Sequence, residues 1–522
     1  MYPYENIYVV YSVCRYPFAV DEQRWEVVFG NPDIIDPPVS LVNSYDGGNL
    51  LCGHNELHQG TMYKTDKNGK VLWSTFFKGD HPTPASIGED CDGNKVIAGS
   101  MYANAWVVFL NSCNDLVWCS EYFNAVEYSR SFFTDVLLVD SLILAVGNFK
   151  DFDNNYSVNL LAFDYDGYLL WNKVLASPIS DTLLNMPLPV YLEKVNNSYF
   201  VSGDCYYAYP SNPNVGHLRS MFIKLDSLFN KEWFLPYGMS YYIGGTAMGV
   251  IPLDSVNFRG YGSYSVAPNV MNSIFMDFDA DGNEIGYKGI PNSSISSEVE
   301  DNELRALNII DDSTYLITAA VGDIPYEVNP IGEWTMDTGG YVYNYQNHPG
   351  AKCALRPTVK TEDGQFVFLA KKENTNLDIM LYKLNPDLSQ AEIDTNTYNY
   401  DSLCDELPIV SDTIYLDNCS IVTSIDEVPT PSEYYASLKT ININVMPNPA
   451  TNNIVFEVEN TDYHNNIVLT CYNANGKKVF EQLIQQNQAA VKANVTNWQS
   501  GMYVVIARSS NGGYGSSKFV VK

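Results

Sequence analysis

Hydrophobic residues along most of this chain alternate with polar ones in short runs, and the runs break at Asp- or Asn-led turns that recur at similar intervals. Each interval carries two signals. The first is a turn followed by an apolar strand that reaches a small residue seven positions later. It occurs from Asp46 to Gly53, Asp92 to Gly99, Asp140 to Gly147, Asn196 to Gly203, Asp312 to Ala319 and Asp363 to Ala370, with a looser copy from Asp254 through Gly260 and Gly262. The second is a turn that places a large residue seven positions on: Asp66 to Trp73, Asn111 to Trp118, Asp164 to Trp171 and Asp226 to Trp233. Later copies weaken to Gly286 after Asp279 and Glu392 after Asn385, and the sixth unit is expected to hide its second hairpin in an irregular stretch, 325–350. Two hairpins make four strands. Seven such units of roughly 44 to 59 residues predict a seven-bladed β-propeller. Small residues are expected where blades crowd, and Trp73, Trp118, Trp171 and Trp233 are expected to pack one blade on the next. The stretch 24–30 repeats the pattern of 73–79, as an outer strand closing the ring would.

The pattern changes near the end. Asp426 to Ser437 carries prolines and charges without apolar periodicity and reads as a linker. The expected domains are therefore a propeller over 1–403, an extended disulfide-clipped segment with linker over 404–440, and a separate module over 441–522. That module opens with an extended run into Pro447-Asn448-Pro449-Ala450, a turn set by the fixed φ of proline. Strand-like runs follow at 454–459, 467–472, 477–482 and 501–506, with an Asn475-Gly476 hairpin turn and a final Ser517-Lys518-Phe519-Val520-Val521-Lys522. Strand after strand with tight turns predicts an immunoglobulin-like β-sandwich, so the fold class is all-β throughout.

In these features the module resembles the type A C-terminal sorting domain of type IX secretion substrates. The Pro447-Asn448-Pro449 opening, the turn at Gly476, the Gly501-to-Tyr503 strand and the basic final strand with Lys518 stand in that family's order. The resemblance implies a partner, the type IX secretion machinery, and a secreted or outer-membrane-surface location in a Gram-negative bacterium, with the module clipped after translocation. Separately, Thr65-Asp66-Lys67-Asn68-Gly69-Lys70-Val71-Leu72-Trp73 resembles the tryptophan-docking motif of quinoprotein-type propellers. In that family the Asp and Gly shape a turn and the Trp locks adjacent blades, so the resemblance implies architecture. A quinone cofactor is not expected, since the chain has no Cys-Cys pair. Triplets such as Asp140-Ser141-Leu142, Asp254-Ser255-Val256 and Asp412-Thr413-Ile414 resemble the O-glycosylation acceptors of bacteria that use this route, although Asp-Ser is also ordinary turn chemistry.

Asp and Glu number 61 against 30 Lys and Arg, with no basic stripe, which argues against nucleic acid and anionic membranes as partners. No apolar run approaches the length of a transmembrane segment. Met1 to Glu5 lacks the basic and apolar regions of a signal peptide, so export implies that one precedes this sequence. Among ten cysteines, Cys404 and Cys419 are the expected disulfide, with Cys113 and Cys119 a second possible pair across a predicted turn.

Candidate chemistry is sparse. His54 and His58 are four apart but follow a strand and lack a Glu directly after the first His, so a surface loop is expected in place of a zinc site. Asp277, Asp279 and Asp281 imitate the start of a calcium loop, yet its twelfth position is Lys288, and a hairpin turn is expected. No nucleophile elbow, phosphate loop or Cys-x-x-Cys cluster occurs. No catalytic residue, metal or cofactor is expected. The reading is an exported glycan- or protein-binding or adhesion module. The alternatives are a secreted hydrolase with an axial carboxylate pair and a structural surface component.

Overall fold

The computed structural model describes residues 25–30, 36–122, 128–139, 142–178, 181–209, 212–238, 244–267, 270–296, 299, 301–322, 330–372, 378–404, 411–422, 441–459, 467–473, 478–484, 490–509 and 514–522. The chain divides into two compact units, Met1–Asp426 and Glu427–Lys522. Among the described residues the only helix is a single turn, Asn292–Ile295.

The larger unit is a propeller-like succession of antiparallel sheets in which consecutive strands are neighbours. Five four-strand meanders run over 38–78, 82–122, 128–176, 184–236 and 245–290 and are called here sheets 1 to 5. Strands from Asn302 to Leu384 then form one continuous seven-stranded sheet whose far edge is the N-terminal strand Glu26–Phe29, paired with Ile379–Leu384. The continuity comes from the long strand Val342–Lys360. Its first part pairs with Pro330–Asp337 and its last part with Phe366–Lys372, so it is both the fourth strand of a sixth group and the first of a seventh. The stretch expected to be irregular therefore holds a regular hairpin, with its turn at Asp337 to Tyr341. Residues 325–329 of that stretch lie outside the described residues.

The repeated turn aspartates do local work. Asp66, Asp164, Asp226 and Asp279 each accept backbone N–H bonds on Oδ1 from the residues two and four further on. The small residues seven positions after the first turn answer a different need from the one expected. A methyl group on Gly99, Gly147, Gly203 or Gly262 would come within 2.0–2.3 Å of a carbonyl on the first strand of the same sheet, and one on Gly53 within 2.5 Å of the Pro37 carbonyl just before it. Each of those first strands is bulged at this point, which pushes its backbone under the glycine. Crowding within a sheet, not between sheets, requires the glycine.

Successive sheets pack face to face through apolar side chains. Leu50, Met62, Trp73 and Phe77 of sheet 1 meet Ile87, Ile97 and Trp106 of sheet 2, and Phe200 and Phe222 of sheet 4 meet Phe258, Ile274 and Met276 of sheet 5. A further cluster joins the end of the unit to its beginning: Trp25, Val367, Leu369, Ile379 and Leu381 bury against Leu41, Leu51 and Tyr63 of sheet 1.

The smaller unit is a two-sheet sandwich, with three strands (Asn442–Met446, Asn453–Glu459, Ala490–Asn494) facing four (Lys478–Ile484, Ile467–Asn473, Gly501–Ser509, Tyr514–Val521). Ile443, Ile454, Phe456 and Val491 of one sheet and Leu469, Tyr503, Val505 and Phe519 of the other share a single core.

Candidate functional site

In the smaller unit, the opening turn and the end of the chain are one structure. Asn448 donates from Nδ2 to Lys518 O (3.2 Å) and accepts at Oδ1 from Val520 N (3.0 Å), so the residue between the two prolines grips the last strand. Ala450 N donates to Val520 O and Lys522 N donates to Ala450 O, which caps the strand edge. Pro447 and Pro449 flank this contact, and Lys518 points to solvent from the last strand. Gly501 begins the neighbouring strand opposite Val521. Tyr503 is buried, stacked on Phe519, and its hydroxyl donates to Gln499 O at 2.6 Å. Gly476 lies outside the described residues.

In the larger unit, the indole of Trp118 donates to Tyr165 O (2.9 Å) in the Asp164 turn of the next sheet, and that of Trp233 donates to Ala280 O (2.9 Å) in the Asp279 turn of the next. A side chain on the turn glycines Gly167 or Gly282 would strike these indoles at under 3 Å, and both glycines have positive φ. Trp171 lies against Phe229 in the Asp226 turn. Trp73 departs from the pattern: its indole donates to the Asp401 carboxylate at 3.0 Å. Trp25, which the repeat reading left out of its tryptophan set, follows it, donating to Lys67 O (3.1 Å) above Gly69 in the Asp66 turn of sheet 1.

Asp401 belongs to a strap, described over 385–404 and 411–422, that contacts the last strands and the outer strands of sheets 1 and 2. Tyr400 Oη accepts from Lys67 N, Lys67 bridges Asp363 and Asp394 at 3.1 Å each, and Asp401 joins the buried Lys64–Asp46 pair. Beyond it, Ser411–Tyr415 adds a parallel strand to sheet 1 and Ser420–Val422 one to sheet 2. The expected Cys404–Cys419 disulfide is therefore replaced. Cys404 is bonded to Cys113 and Cys419 to Cys119, and the alternative Cys113–Cys119 pair is excluded with it. The physical reason is that Cys113 and Cys119 lie just before and within the last strand of sheet 2, and Cys404 and Cys419 each reach one of them from the two described parts of the C-terminal segment.

Towards the inner ends of the sheets, Arg356 is the organising residue, and no motif marks it. Its guanidinium donates to Asp135 Oδ1 (2.5 Å), Ser86 Oγ (3.1 Å), Thr134 O (3.2 Å) and Val190 O (3.0 Å), and lies 4.4 Å over the Tyr191 ring. One side chain from the last group thus contacts the first strands of sheets 2, 3 and 4. Asp135 also accepts from Val136 N and, at Oδ2, from Leu192 N. Nearby Glu193 accepts from Val250 N, and burial pushes its carboxyl up to about 8.

The expected histidine loop is a turn, with Asn55 N donating to Gln59 O. Its partner is distant in sequence: the His58 and His81 rings lie 4.1 Å apart between centroids and are tilted by 42°, both residues having positive φ. Asp277 is bonded bidentately to Arg259 and Asp279 is occupied by its own turn, which makes the calcium-like segment a hairpin. Among the described residues no three His, Cys, Asp or Glu side chains are placed to hold a metal ion, and no helix is long and apolar enough to cross a membrane.

No curated protein matches the chain. Among solved structures, a protein from Lactobacillus plantarum aligns with a TM-score of 0.41 at 10% identity, covering 68% of this chain and 95% of the other. The β-propeller domain of the Trilobed protease from Pyrococcus furiosus gives 0.38 at 9% identity (70% and 99%), and a Synechocystis apocarotenoid oxygenase mutant gives 0.41 at 9% (71% and 92%). Likenesses this weak bear on neither ligand nor chemistry. Residues 444–522 match the family described as secretion system C-terminal sorting domain. The chain thus carries a type IX sorting domain at its C-terminus and is directed out of the cell, to its surface or the medium.

Proposed function

We propose that this chain is a type IX secretion substrate with a type A sorting domain of immunoglobulin-like fold, whose passenger is a closed seven-bladed β-propeller that binds a glycan or a protein at the surface of a Gram-negative cell. Support for the closed ring comes from the Trp25 cluster and from the bond of Trp25 to Lys67, which repeats the Trp118 and Trp233 geometry between the last and first groups. The same bonds favour the tryptophan-docking reading. The Tyr503 hydroxyl bond four residues upstream supports the immunoglobulin-like assignment, since such domains use a tyrosine in this way.

The observation that carries a binding role over hydrolysis is the state of the inner carboxylates. Asp135 is bonded by a guanidinium, a hydroxyl and two backbone amides, so it is not free to serve as the nucleophile or base that a proton-bearing Glu193 would need beside it to act on a glycosidic bond. The test is a glycan array and a protein-ligand panel run on the purified full chain beside a hydrolase screen. Saturable binding without turnover is expected. Turnover of any polysaccharide or peptide substrate would overturn the assignment.

A further inference from the structure

Trp25, Trp118 and Trp233 share one role. Each lies over the turn glycine of the sheet that follows it, and a side chain on Gly69, Gly167 or Gly282 would meet the indole at 2.7–2.9 Å. Sheet 5 breaks the series. Seven positions after its Asp279 turn stands Gly286, opposite Asp277 as Trp233 stands opposite Lys224 in sheet 4. A methyl group added to Gly286 would meet nothing within 4 Å, so the place that an indole fills elsewhere is open.

The turn that this indole would cover is still in place. It runs from Asp337 to Tyr341 in the sixth group, and its Thr338 carbonyl accepts from Arg259 Nη1 of sheet 5 at 2.6 Å. Over its glycine, Gly340, lies only the end of the Lys288 side chain, whose Cε would be 2.7 Å from an added methyl group. A lysine chain is narrower than an indole and leaves the flank at Gly286 uncovered. Large side chains on both elements are exposed here. Tyr341 and Tyr343 are 68% and 54% exposed, with their rings edge to face at 5.4 Å, and Ile285 and Tyr287, on either side of Gly286, are 55% and 45% exposed. One exposed apolar residue is ordinary, but several on adjoining elements mark an interaction surface.

We propose that the opening between sheet 5 and the sixth group, formed by Gly286, Lys288, Tyr341 and Tyr343, binds a neutral polysaccharide, one ring of which takes the place of the missing indole. The proposal rests on the binding role above and names its ligand class. A pyranose ring offers a flat apolar face for an aromatic ring to stack on and a hydroxyl edge for the tyrosine hydroxyls and the Lys288 ammonium to bond. Charge favours a neutral chain over an acidic one. At this boundary Asp277, bonded to Arg259, Asp337, bonded to Tyr341 N, and Glu284, bonded to Gly238 N, outnumber the cations Arg259 and Lys288, so no positive excess is present to hold a uronate.

The full chain is titrated calorimetrically with oligomers of xylose, glucose and mannose, each in β-1,4 linkage, and with a galacturonate oligomer. A neutral oligomer is expected to bind. Tyr341→Ala and Tyr343→Ala should each weaken it about tenfold or more while melting at the parent temperature, because both rings are exposed. Gly286→Trp should refill the opening, melt at or above the parent temperature and lose the binding. Should Gly286→Trp fail to fold, the two tyrosine variants decide. Binding of the galacturonate oligomer alone, or of no oligomer, would overturn the site. Neutral-oligomer binding that the variants all keep would also overturn it, while leaving the binding role of the passenger standing.

Discussion

The two disulfides of the strap make an energetic prediction that a local pairing does not. Cys113–Cys404 and Cys119–Cys419 span sequence separations of 291 and 300 residues. In the chain-entropy description, closing a loop of that length restricts the unfolded chain by about 5.7 kcal/mol. Once either bond exists, the other closes only the short double path between the two sites, roughly 21 residues, and adds about 3 kcal/mol. Removing one bridge by Cys113→Ser with Cys404→Ser, or Cys119→Ser with Cys419→Ser, should therefore cost about 3 kcal/mol, while removing both should cost about 9 kcal/mol, some 3 kcal/mol more than the sum. Equilibrium urea unfolding of the three variants, followed by tryptophan fluorescence, measures these differences. Mass spectrometry of unreduced proteolytic peptides should first recover 113–404 and 119–419 crosslinks. A double variant that costs no more than the two singles together, or a 404–419 crosslink, would refute the strap.

Other consequences are independent of the strap. Arg356→Ala leaves Asp135 buried without its cation and should destabilise the larger unit by about 3–5 kcal/mol, with partial recovery on adding Asp135→Asn; no recovery would remove the charge pair as the cause. Trp25→Ala should cost about 3–5 kcal/mol as a buried aromatic truncation, and a loss under 1 kcal/mol would mean that the N-terminal strand does not close the ring. Glu193, with its folded pKa raised to about 8 by burial, binds a proton in the folded state that the unfolded chain has already released, so its contribution to stability is lost as pH rises from about 4.5 to 8, at up to about 1.4 kcal/mol per unit. Glu193→Gln should flatten that slope in urea titrations across the window, and an unchanged slope would reassign it. Asn448→Ala breaks both bonds that tie the opening turn to the last strand and should lower the stability of the smaller unit by about 1–3 kcal/mol; an unchanged melt would deny the grip.

What the sequence displayed was whatever is local. Asp66, Asp164, Asp226 and Asp279 cap their own turns through bonds within four residues, and the indoles seven positions on sit at fixed offsets, so both could be read as a repeat. The sixth unit was obscured because one strand, Val342–Lys360, serves two groups and because Asn344 stands seven residues after Asp337, where other units have Trp. The cysteines misled for the opposite reason. Cys404 and Cys419 are close in sequence, but their partners are chosen by a parallel strand addition that no periodicity announces. Arg356 carried no signal, since its partners Ser86, Asp135 and Val190 are gathered only by the convergence of the sheets.

The export claim is tested most directly by expressing the full chain, and a chain ending before Ile441, each behind an inner-membrane signal peptide, in a bacterium that has the type IX route, and measuring the passenger at the cell surface and in the medium by fractionation with protease accessibility. The full chain is expected outside the cell and the truncated chain in the periplasm, folded and protease-resistant. A truncated chain that reaches the surface as efficiently as the full one would contradict the account.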